Sequence, residues 1–177
     1  TLTMASSHFI SNGTGTLSIT GANFYNLTIE TGTTTLGTAV TIDNVFLVPG
    51  TLTTSNYDVT SPNLDLDGTI NAGSSVITIN GNTNLTGGTY SAATSKLILG
   101  GTSVFNPGDN TFDRLNVSSG NNVRQFGNAT INQLFCPLGV YNVSGAAELI
   151  LNRSKQVCST KAYWNISLHN GKIINAS

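Results

Sequence analysis

Charge is what this sequence has least of. Only 8% of its 177 residues are Asp, Glu, Lys or Arg, against roughly a quarter in an ordinary globular chain. Its polar surface must therefore be made of Thr, Ser, Asn and Gly. No Lys or Arg precedes Lys96, and the net charge of -1 lacks the concentrated basic face that nucleic-acid binding needs. Nothing approaches the roughly 20 continuous apolar residues of a membrane-spanning helix, so no membrane insertion is expected in this segment. No charged-then-apolar leader opens the chain. It starts at Thr1 rather than Met, which suggests a processed or partial polypeptide and leaves export open. Two His and two Cys are too few for a zinc cluster. Helix formers are scarce, and no window carries a helical apolar stripe.

What is present reads as strand and turn. Apolar residues make up 38% of the chain, enough to bury a core. They alternate with polar neighbours at Leu27/Ile29, Leu64/Leu66, Ile77/Ile79, Leu97/Leu99, Leu115/Val117 and Leu149/Leu151, the pattern of strands with one buried and one wet face. Turns rich in Gly or Asn punctuate them, as in NGNTN from Asn80 and LTGGT from Leu85.

An internal repeat organises these strands. FYNLTIETG from Phe24 aligns with FDRLNVSSG from Phe112 at an offset of 112 - 24 = 88. TIDNVF from Thr41 then matches TINQLF from Thr130, and Pro49 and Pro137 follow. GTLSITG from Gly15 matches SKLILGG from Ser95 at an offset of 80, with SVFNPGDN from Ser103 read as an eight-residue insertion. The repeat, the scarcity of charge and the stacked-looking Asn and Thr favour an all-β solenoid in which each coil buries its face on the next. With coils of roughly 20 to 25 residues, the repeat would hold about four and the chain about eight. Residues 1–144 form the repeats, and 145–177 read as degenerate coils or a cap. A β-sandwich of two repeats is the alternative.

Between about Gly15 and Ser144 the text "FYNLTI", "VTIDN", "GTLTTSNYDVT" and "GTINAGSSVITINGNTNLTGGTYSAATSKLIL" resembles the β-strand repeat modules of very large secreted or cell-surface proteins of bacteria and archaea, also found in viral tail fibres. The resemblance implies a right-handed parallel β-helix and a role in a stalk, adhesin or filament, outside the cell or on its surface. Self-association or flanking repeats would be the partners; a virion is the alternative setting.

The charge distribution gives the halves opposite signs. Glu30, Asp43, Asp58, Asp65 and Asp67 leave -5 before Lys96, and seven Lys and Arg against Asp109, Asp113 and Glu148 leave +4 from there on. In an elongated molecule such ends attract head to tail; neutral drift between repeats explains the same numbers.

Cys136 and Cys158 lie 158 - 136 = 22 residues apart, within the coil length above. Residues one coil apart stack at about 4.7–4.9 Å, inside the Cα range a disulfide accepts. A bridge between neighbouring coils would suit an oxidising exterior and contribute about 3 kcal/mol; two buried free thiols are the other reading. Asn-X-Ser/Thr triplets stand at Asn12, Asn26, Asn84, Asn116, Asn128, Asn142, Asn152, Asn165 and Asn175, a mild excess over chance and candidate glycan acceptors in an exported chain.

NLDLDG places Asn63, Asp65 and Asp67 on one strand face, like the first half of a calcium loop, but its twelfth position is Ser74 rather than Glu. A wet strand face explains the triplet. Asp65 and Asp67 also stand near a retaining glycosidase's carboxylate separation, although nothing in the sequence would set their pKa values apart. His8 and His169 have no nucleophile motif beside them. No catalytic, metal or cofactor site is expected, and the chain is read as a non-enzyme. Phe24, Phe46, Phe112 and Phe135 recur as core positions. Tyr163 and Trp164, outside the repeat and near Lys161 and His169, form a candidate contact surface for glycans or a hydrophobic cap.

Overall fold

The computed structural model describes residues 3–21, 23–118, 121–135, 140–144, 146–152, 165–169 and 172–175. Among them every element is a strand and every strand pairing is parallel. The strands stack as a β-solenoid of about seven turns. The sandwich alternative is thereby set aside, since facing antiparallel sheets are its defining feature.

One coil shows how the sequence builds three faces. Val59–Ser61 lies on the first face, Leu64–Leu66 on the second and Thr69–Asn71 on the third. The chain then returns to the first face as Val76–Ile79. Strands of three or four residues keep only one or two apolar side chains inward, so no coil has a core of its own. Burial comes from the rung above and the rung below.

The inward positions form columns. On the first face Val40, Val59, Ile77, Leu97, Leu115 and Leu134 follow one another in parallel register. On the second the column runs Phe9, Leu27, Phe46, Leu64, Thr83, Phe105, Gln125 and Val143, and Leu168 follows in backbone register. On the third it is Gly15, Thr34, Leu52, Ile70 and Tyr90. Leu27, Leu64, Leu97, Leu115, Leu52 and Ile70 are at most 2% exposed. Each such side chain contributes about 1.5–3 kcal/mol by leaving water.

The first two faces join into one 16-stranded sheet, while the third is a separate five-stranded sheet. The join is made by Asn23–Thr31 and Val40–Val48, which are long enough to cross the corner. Val40 pairs with Val59 on the first face, and Phe46 pairs with Leu64 on the second.

Two expectations change. Most rungs are 18 to 20 residues apart, shorter than the coil inferred from sequence, because strands of three or four residues are joined by tight turns. Longer steps occur from Thr83 to Phe105 and, at 25 residues, from Val140 to Asn165. In addition, the 88-residue offset joins different columns: Leu27 belongs to the second face and Leu115 to the first. Ser103–Asn106, read as an insertion, is a regular second-face strand between Thr83–Asn84 and Asn122–Phe126.

Candidate functional site

A regularly repeating surface belongs to the third face. Its strands share a motif, Gly-Thr-X followed by Thr, Asn or Ser, at Gly32, Gly50, Gly68 and Gly88. The glycines make the corner. Thr51 N–H donates to Gly32 O at 2.9 Å, and Thr69 and Thr89 N–H donate to Gly50 and Gly68 O at 2.8 Å. A Cβ on Gly68 would stand 1.9 Å from Gly50 O, so at that corner only glycine lets successive coils approach to strand spacing.

Beyond the corner two columns of side chains point outward. Thr33, Thr51, Thr69 and Thr89 form one. Thr16, Thr35, Thr53, Asn71 and Ser91 form the other. These positions are half-buried or exposed, whereas Leu36, Leu52, Ile70 and Tyr90 face inward and are buried. The register carries no shift from Gly15–Leu17 to Thr89–Ser91, in contrast to the shifts between Met4 and His8 and between Phe24 and Asn26. Within the columns the one side-chain hydrogen bond is Asn71 Nδ2 donating to Thr53 Oγ1 at 3.3 Å. No charged residue stands in either column.

Tyr90 anchors the last of these strands from within. Its ring packs 5.3 Å from that of Phe112, and its hydroxyl lies 3.1 Å from Ser95 Oγ. Burial pushes the phenol up to about 12, opposed by the Ser95 hydrogen bond.

The residues singled out from sequence scatter over the other faces and corners. Asp65 Oδ1 accepts from Asn84 Nδ2 at 2.8 Å, and Asn63 Oδ1 accepts from Asn82 N–H at 3.1 Å. Both thus serve contacts between rungs, with Leu64 and Leu66 buried between them. Among the described residues no three His, Cys, Asp or Glu side chains converge as metal ligands. His8 Nε2 lies 2.7 Å from Thr28 Oγ1.

Of the candidate glycan acceptors, Asn12 and Asn128 are exposed and use only Oδ1, which accepts from Thr31 Oγ1 at 2.5 Å and Glu148 N–H at 2.9 Å respectively. Half-buried Asn26 likewise accepts from Asn44 Nδ2 at 3.0 Å. Asn84 and Asn152 instead spend Nδ2 as a donor, Asn152 to Asn132 Oδ1 at 3.2 Å. Asn116 is half-buried, in register with Ile98 and Phe135. Asn142, Asn165 and Asn175 lie in strands, and their side chains are outside the described residues. Cys136, Cys158, Tyr163 and Trp164 lie outside the described residues.

Sequence reading missed the threonine face because it followed apolar alternation, which all three faces share. The recurring Gly-Thr dipeptide at steps of 18 and 20 residues was the available signal. No family model, no curated protein and no solved structure matches this chain.

Proposed function

We propose that the chain is a structural segment of an extracellular or cell-surface stalk, adhesin or filament, in which stacked coils supply reach and rigidity and no catalysis takes place. The observation that carries this reading is the unbroken second-face column from Phe9 to Leu168. Such a ladder is a one-dimensional object that extends by adding rungs. Thr3–Asn12, at one end of it, pairs with Asn23–Thr31 alone among the described strands. Its outer edge therefore offers peptide groups to another subunit or to more of the same repeat. The opposite charge of the two halves favours head-to-tail contact. On an exported protein, Asn12 and Asn128 are the exposed acceptors whose amide nitrogens make no hydrogen bond among the described residues, and a Cys136–Cys158 bridge would suit the same exterior.

The test is electron microscopy of the purified chain with light scattering across a concentration and salt series. End-to-end rods that shorten as salt rises are expected, because screening weakens attraction between exposed charges. Single particles one solenoid long at every concentration would contradict the filament.

A further inference from the structure

We propose that the third face binds ice, its two outward columns, one of Thr and one of Thr, Asn and Ser, holding a layer of water in lattice order. The spacing carries the inference. Along each column neighbours repeat at the inter-strand distance, about 4.8 Å, and across the pair at two residues of strand, about 6.7 Å. Those two intervals, at right angles, lie close to oxygen repeats in planes of hexagonal ice. Because the register runs without a shift from Gly15–Leu17 to Thr89–Ser91, the two-column grid is kept over four strands and one column extends to the fifth.

The chemistry agrees with the spacing. A threonine hydroxyl can donate to and accept from water, while its methyl group restricts the orientation of the water beside it. Apart from the Asn71–Thr53 contact, the column hydroxyls have no protein partner to give up. No ionic group in either column draws water into a competing hydration shell. A flexible polymer or a protein loop touches a surface locally and gains nothing from strict periodicity in two directions; a crystal lattice does. A crystalline polysaccharide is periodic too, but sugar rings are gripped by exposed aromatic faces, and the aromatic residue of these strands, Tyr90, points inward and is 4% exposed. The inference stands apart from the stalk reading, since it needs neither assembly nor a cell surface.

The purified chain is cooled with a single ice crystal, and thermal hysteresis and crystal shape are recorded for the wild type and for Thr51→Tyr/Thr69→Tyr. The control is Thr60→Tyr/Thr78→Tyr, two register neighbours on the outer side of the first face. Circular dichroism verifies that each variant keeps the wild-type β spectrum. The wild type and the control are expected to open a hysteresis gap and facet the crystal, and the Thr51/Thr69 variant to lose most of that gap. A wild type that leaves ice growth as in buffer overturns the proposal, as does equal loss in the control. Sedimentation with microcrystalline cellulose or chitin without any effect on ice assigns the face to polysaccharide instead and equally overturns it.

Discussion

The second and third faces solve the same packing problem with different tolerance. On the third, each coil repeats its predecessor nearly residue for residue: a glycine corner, a threonine outward, an inward side chain, then another outward polar residue. The third face's inward column takes one buried polar side chain, Thr34, whose Oγ1 lies 2.6 Å from Ser11 Oγ; the second face admits two. Its inward column places Thr83 and Gln125 among Leu and Phe, and both are buried. Gln125 is provided for: Tyr141 hydroxyl donates to Oε1 at 2.6 Å, and Nε2 donates to Gly127 O and Glu148 O at 2.7 and 3.2 Å. Thr83 Oγ1 has no partner. Regular repetition thus makes the third face sensitive at its corners, while the second is sensitive wherever a polar group has entered the core.

The largest effect is expected at a corner. Gly68→Ala would drive a Cβ into the Gly50 and Pro49 carbonyls and should cost about 3 kcal/mol or more, read as a lower urea midpoint. Gly15→Ala, on the same sheet but with open space where its new methyl group would stand, should leave the midpoint nearly unchanged. Equal effects would erase the distinction between stacked and open glycines.

Next comes pH. Tyr90 holds its proton more tightly when folded, up to about 12, than in the unfolded chain at about 10. Its contribution is therefore complete below about pH 10 and is lost as pH rises through about 12. Stability of the wild type should fall between those values by roughly 2–3 kcal/mol more than that of Tyr90→Phe, measured by urea unfolding with phenolate absorbance. Parallel curves for the two proteins would show that burial on the third face does not hold the proton.

Smaller and opposite changes should separate the two polar intruders of the second face. Tyr141→Phe removes a donor from buried Gln125 and should destabilise by about 1–3 kcal/mol. Thr83→Val removes an unpartnered hydroxyl and should stabilise by roughly 1 kcal/mol. Thermal unfolding of both variants tests this pairing, and a loss at Thr83 would mean that its hydroxyl has a role the column does not reveal.

These contrasts also explain what could be read in advance. Leu64/Leu66 and Ile77/Ile79 announced strands with one buried face, and the lack of charge and of helical periodicity announced a stack of them. Face membership was illegible. FYNLTIETG and FDRLNVSSG look alike because every face uses the same apolar-in, polar-out alternation, yet Leu27 stacks on Phe46 while Leu115 stacks on Leu97. Alternation specifies which way a side chain points, and the turns decide where in the coil the strand lies. The threonine columns escaped for a related reason: Thr33, Thr51, Thr69 and Thr89 become neighbours only after the coil length is known, and strands of three or four residues made that length shorter than expected.

The central claim is that residues 18 to 20 apart lie side by side in parallel register. Paired cysteines test it most directly, with Thr60→Cys/Thr78→Cys placed on neighbouring rungs and Glu30→Cys/Ser118→Cys placed 118 - 30 = 88 residues apart, in the offset of the sequence repeat. After mild oxidation and peptide mapping by mass spectrometry, the account predicts a 60–78 bridge and no 30–118 bridge. A 30–118 bridge with 60 and 78 left reduced would contradict it.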